Sequence, residues 1–192
     1  MSPIIVSDSG GGTFTPHPEG QFAALCVDVV DVGWKATDWG PKYKVRFSFY
    51  CGETLVKTID GKDEVVPQIV SSTFNGTLSE RGKLRPFLES WRGQMFTSTE
   101  LGKFDLENVL GAPAFISIVH VVKGSDTYAN VRTIMQLPPN MTAPDRPANF
   151  ERVQDREGWT GPNPHPDRET TSPATGEPLP QDTTDYDEEL PF

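Results

Sequence analysis

Hydrophobic and polar positions along this chain fall mostly in short alternating or apolar runs, the period of β-strands. The run FAALCVDVVDVG is apolar and β-branched and predicts a first strand. GWKATDWGPK follows as a loop, punctuated by Gly33, Gly40 and Pro41. In YKVRFSFYCGE the alternation is clean. Tyr43, Val45, Phe47 and Phe49 fall on one face, and Lys44, Arg46, Ser48 and Tyr50 on the other. TLVKTIDGKDE predicts a short strand with an Asp-Gly turn, and PQIVSSTFNGTL a further strand.

The period then changes. Leu84, Phe87, Leu88 and Trp91 share a helical face, with Pro86 in a first turn and Gly93 as the stop. Thr97 and Glu100 have the spacing of a capping box, and Leu106, Val109 and Leu110 form a second small apolar face. AFISIVHVV and YANVRTIMQL return to the strand pattern around the turn KGSD. A helical segment between the third and fourth main strands fits a mainly β OB-fold, a five-stranded Greek-key barrel. A different small β-barrel satisfies the same order.

Charge divides the chain unevenly. The net charge of the 192 residues is −10. Residues 144–192 hold 4 arginines against 12 acids, a balance of −8, together with 9 of the 18 prolines. Such a stretch has little apolar material to offset its ordering entropy and reads as disordered. The expected organisation is a flexible arm over 1–20, a barrel over 21–143 and a disordered acidic tail over 144–192. Cys26 lies in an apolar run and reads as a core thiol. With Cys51 it makes neither a disulfide framework nor a zinc cluster. MSPIIVSDSGGG has no basic start and no long apolar stretch, so a cytoplasmic protein without a membrane anchor is expected.

Chemistry concentrates around the first loop. Trp34, Lys35, Trp39, Lys42, Tyr43, Lys44, Arg46 and Tyr50 interleave rings with cations, against Asp38 alone within 34–50. Single-stranded nucleic acid needs both: cations follow phosphates, and aromatic faces stack on unpaired bases. The competing reading folds the two tryptophans back onto the barrel edge. A second set, Arg81, Lys83, Arg85 and Arg92, either extends a phosphate path or forms a solvated helix face, and the second is favoured. Trp91 and His120 read as core residues. No catalytic constellation, metal motif or cofactor-binding loop is present, so no enzyme, cofactor or metal is expected.

The last residues, DYDEELPF, place Asp185, Asp187, Glu188 and Glu189 before an apolar tip of Leu190, Pro191 and Phe192. An apolar tip with a free carboxylate suits a hydrophobic pocket with a basic rim. This ending resembles the acidic tip of bacterial single-stranded DNA-binding proteins, with Leu190 in place of the usual Ile. The middle of the chain is similar to phage and mobile-element single-stranded DNA-binding proteins. The likeness is carried by Leu84-Arg85, Trp91-Arg92-Gly93, Phe96-Thr97, Phe104-Asp105, Leu110-Gly111 and His120.

The resemblance implies an OB-fold body that coats unpaired DNA during phage replication, recombination or repair. It implies a tip that recruits replication, recombination or repair enzymes in a bacterial host cytoplasm. Homo-oligomerisation is left open. The alternative is an interaction module whose tail docks on a host DNA-metabolism protein while the barrel binds protein or RNA.

Overall fold

A computed structural model describes residues 15–59 and 61–166. The predicted docking tip lies outside the described residues. Five strands are present: β1 (Gly20–Lys35), β2 (Lys42–Ile59), β3 (Lys62–Asn75), β4 (Pro113–Lys123) and β5 (Asp126–Met135). Between β3 and β4 lie α1 (Leu84–Arg92), the one-turn α2 (Ser98–Gly102) and a 3-10 turn over Leu106–Val109. The strand order is β3-β2-β1-β4-β5, and every pairing is antiparallel. β3 and β5 approach each other at the outer seam, curling the sheet into a half-barrel. This is the OB-fold expected from the sequence, with its helical segment between strands three and four.

The alternation in β2 places its large side chains as predicted. Val45, Phe47 and Phe49 are buried with Ala24, Cys26 and Val29 from β1, Val70 from β3, and Ile116, Ile118 and Ile134 across the barrel. Leu84, Leu88 and Trp91 close this core from α1. The Trp91 indole N–H donates to Pro113 O at 2.9 Å, so its one polar atom is satisfied inside the core. Gly93 ends α1 in the left-handed region, and the capping box of Thr97 and Glu100 starts α2. Burial pushes the Cys26 thiol up to about 12, as befits a core residue. No helix among the described residues is long and apolar enough to cross a membrane.

Five expectations are corrected. First, the separate short strand is the far end of β2, paired with β3 from Thr54↔Pro67 to Ile59↔Lys62. A register irregularity between Tyr50 and Thr54 breaks the alternation there, so one long hairpin reads as two elements. Second, the second helical face is a 3-10 turn separate from α2. Third, His120 is half-buried rather than core. Its Nε2–H donates to His17 O at 2.8 Å, and its backbone N–H donates to the Glu19 carboxylate at 2.6 Å. Fourth, the last part of the N-terminal arm is held, because Gln68 Nε2 also donates to Thr15 O at 3.0 Å.

The fifth correction is the largest. Residues 144–166 do not stand off as a tail but form a strap along the barrel. Arg152 is 8% exposed and donates to Asp28 (3.0 Å), Val29 O (3.2 Å) and Glu107 (2.7 Å). The Val153 N–H donates to the other Asp28 oxygen at 2.8 Å. These bonds raise the Arg152 pKa above its usual value, the Glu107 carboxylate contributing most. β4 pairs with β1 only over Gly20–Leu25, which leaves the second half of that edge open. The strap covers it, ending in a parallel bridge between Asn163 and Gly33. Averaging composition over 49 residues hid these few anchoring groups.

Candidate nucleic-acid interface

The antiparallel register of β1 and β2 builds the site. Trp34 pairs with Tyr43, Lys35 with Lys42, and Gly33 with Lys44. Interleaving in sequence therefore becomes separation in space. Tyr43 continues the inward row of Val45 and Phe47 at the barrel mouth. Lys44, Arg46 and Tyr50 lie on the outward face.

Beyond this rung the chain turns over Thr37–Gly40. Thr37 Oγ1 donates to Gly40 O at 2.6 Å and accepts from the Trp39 N–H at 3.3 Å, while Gly40 N–H donates to Thr37 O at 3.0 Å. Gly40 has φ +95, a left-handed value that a side chain would oppose. The turn projects Trp39, which is 68% exposed, and leaves Lys35 exposed beside it. Trp39 does not fold back onto the barrel.

The other two rings are braced. Tyr43 OH donates to Asp31 Oδ2 at 2.6 Å, and Asp31 Oδ1 accepts from the Gly33 N–H at 2.9 Å. The Tyr43 ring packs on Gly76, where a Cβ would come within 2.4 Å. Burial first, then the Asp31 carboxylate, raise the Tyr43 pKa above the usual phenol value. Trp34 meets Tyr43 edge-on at 5.7 Å and His165 edge-on at 4.4 Å between centroids. Lys44 Nζ donates to Asn75 Oδ1 at 2.5 Å. Arg46, half-buried between Val30 and Thr73, has a buried Nε with no hydrogen-bond partner among the described residues.

The helical set behaves differently. Arg85 pairs with Glu89 at 3.1 Å and Glu80 at 3.7 Å. Arg92 pairs with Glu100, its guanidinium over the rings of Phe96 and Phe104 at 4.5 and 5.1 Å. Arg81 and Lys83 are exposed. A cavity of about 800 Å³ lies against this segment, lined by Trp91, Phe104, Val109 and Leu137, and shares no residue with the β1–β2 end.

Sequence reasoning missed Asp31, which braces Tyr43, and His165, which covers Trp34. The alternating prolines Pro162, Pro164 and Pro166 were the available signal for an extended segment near the site.

No known family model matches the chain, and no curated protein matches it in sequence. Among solved structures, a small single-stranded DNA-binding protein from Streptomyces coelicolor is similar over 62% of this chain and 95% of its own, at 13% identity and a TM-score of 0.21. At that score the likeness carries no argument. The fold assignment rests on strand order and on the position of the helical segment.

Proposed function

We propose that this chain is a phage-type single-stranded DNA-binding protein. It coats and protects unpaired DNA during replication and recombination in a bacterial host cytoplasm, without chemistry of its own. The observation that carries this reading is the β1–β2 turn of an OB barrel presenting Trp39 to solvent above the Lys35–Lys42 rung. In OB-folds that loop borders the groove for oligonucleotides. An exposed ring stacks on any base, and adjacent cations follow the backbone, so binding there is tolerant of sequence. The acidic tip, Asp185 to Phe192, recruits replication, recombination or repair enzymes through its acids and the apolar Leu190, Pro191 and Phe192.

Titrating intrinsic Trp fluorescence with oligo-dT, duplex DNA and oligo-rU tests the reading. Saturable quenching by oligo-dT at lower concentrations than by duplex is the expected result. A response to none of the three, or to RNA alone, rejects it. For the tip, pull-downs from host lysate with Phe192→Ala lose the enzymes that wild type recovers.

A further inference from the structure

The strap has two unlike ends. At Arg152 it is fixed by a buried cation bonded to two carboxylates and a backbone carbonyl. At residues 161–166 a rung of two backbone hydrogen bonds joins it to β1. Asn163 N–H donates to Val32 O at 3.1 Å, and Trp34 N–H donates to Asn163 O at 2.9 Å. Pro162 and Pro164 on either side have no N–H, so this short ladder cannot lengthen. Asn163 and Pro164 are exposed. The third tie is the His165 ring, edge-on against Trp34.

We infer that residues 161–166 are a displaceable cover over Trp34, which single-stranded nucleic acid lifts in order to stack on that ring. The inference rests on the function proposed above and adds a regulatory contact to the same site. Proline restricts the released segment to extended conformations, so reclosing orders few residues afresh. The close approach is possible because position 33 is glycine: a Cβ there would lie 2.3 Å from Asn163 N. The His165 ring and a stacked base compete for the same Trp34 ring, so a ligand binds there only with the cover displaced. Apparent affinity is then reduced by the fraction of molecules that are closed.

The test uses full-length wild type, His165→Ala and Asn163→Pro. His165→Ala removes the ring contact, and Asn163→Pro removes the N–H that bonds Val32; neither alters an acid. Labelled oligo-dT is titrated by anisotropy, and amide hydrogen exchange is followed at Trp34, whose N–H bonds the cover. Both variants exchange the Trp34 amide faster and bind oligo-dT about two- to tenfold tighter, the span expected for losing one aromatic edge contact. In a Trp34→Ala background the His165→Ala gain disappears. If wild type binds oligo-dT and neither variant binds tighter, the cover is part of the binding platform or inert, and this inference fails alone. If no protein binds any oligonucleotide, the proposed function falls and the cover with it.

Discussion

Two regions of this molecule have nearly the same composition and different arrangements of it. The β1–β2 end sets Lys35, Lys42, Lys44 and Arg46 among Trp34, Trp39, Tyr43 and Tyr50. The α1–α2 segment sets Arg81, Lys83, Arg85 and Arg92 among Phe87, Trp91, Phe96 and Phe104. In the second region, glutamates stand within reach of the inward-turned cations. Glu89 is four residues after Arg85, and Glu100 meets Arg92 from α2. The Phe96 N–H and then Arg85 hold the Glu89 carboxyl below its usual pKa, as expected of a carboxylate committed to structure. At the strand end Asp31 is committed to Tyr43 and Gly33 instead. Glutamates thus hold Arg85 and Arg92 to the helical segment, and Lys44 bonds the neutral Asn75 side chain.

The comparison predicts that the helical segment governs stability and the strand end governs binding. The largest expected effect is Trp91→Ala. It removes a buried ring and its bond to Pro113, costing about 3–5 kcal/mol of unfolding free energy by denaturant titration. Its affinity for oligo-dT, measured where the protein remains folded, stays at the wild-type value. A binding loss larger than tenfold breaks the comparison.

Trp39→Ala is the mirror case. With its ring 68% exposed, stability is unchanged, while single-strand binding weakens by about 1–3 kcal/mol if the ring stacks on a base. Unchanged affinity moves the binding surface away from this turn.

The third effect concerns salt. Lys44→Ala with Arg46→Ala flattens the slope of log affinity against log salt by about 1.4, two phosphate contacts at about 0.7 each. Arg85→Ala with Arg92→Ala leaves the slope alone and lowers stability. Equal slopes in both pairs erase the distinction between the regions.

The smallest effect is a pH dependence. Tyr43 has a raised folded pKa, so its neutral form is favoured by folding. Its contribution is complete below about pH 10, the ordinary phenol value, and declines as pH rises above it. The Cys26 and Cys51 thiols, both pushed up to about 12 chiefly by burial, act in the same direction from a lower starting pH. Tyr43→Phe therefore loses less stability than wild type between pH 9 and 11 (an alkaline window chosen to bracket these groups), by urea midpoints. An identical decline in both proteins removes Tyr43 from the account.

Strands were legible where period and burial agree. Phe47 and Phe49 alternate with polar residues, and both are fully buried. The hairpin beyond Tyr50 was not, because Cys51–Glu53 interrupt the period without ending the strand. For the candidate site, the residue set came from the sequence, but the two-row arrangement came from pairing Trp34 with Tyr43, which no local pattern specifies. The strap was illegible for another reason. Its hold depends on Asp28, a residue whose partner lies far along the chain, and composition carries no record of distance.

That separation has a consequence for synthesis. Asp28 and Arg152 are 124 residues apart in the chain. At about 5–20 residues per second, a ribosome needs roughly 6–25 s to travel from one to the other. Throughout that interval the nascent β1 carries a carboxylate without its cation and an edge without its cover. β1 precedes the other strands of this barrel and is thus completed last among them, and a translational pause before Arg152 lengthens the period in which that edge can pair with another chain.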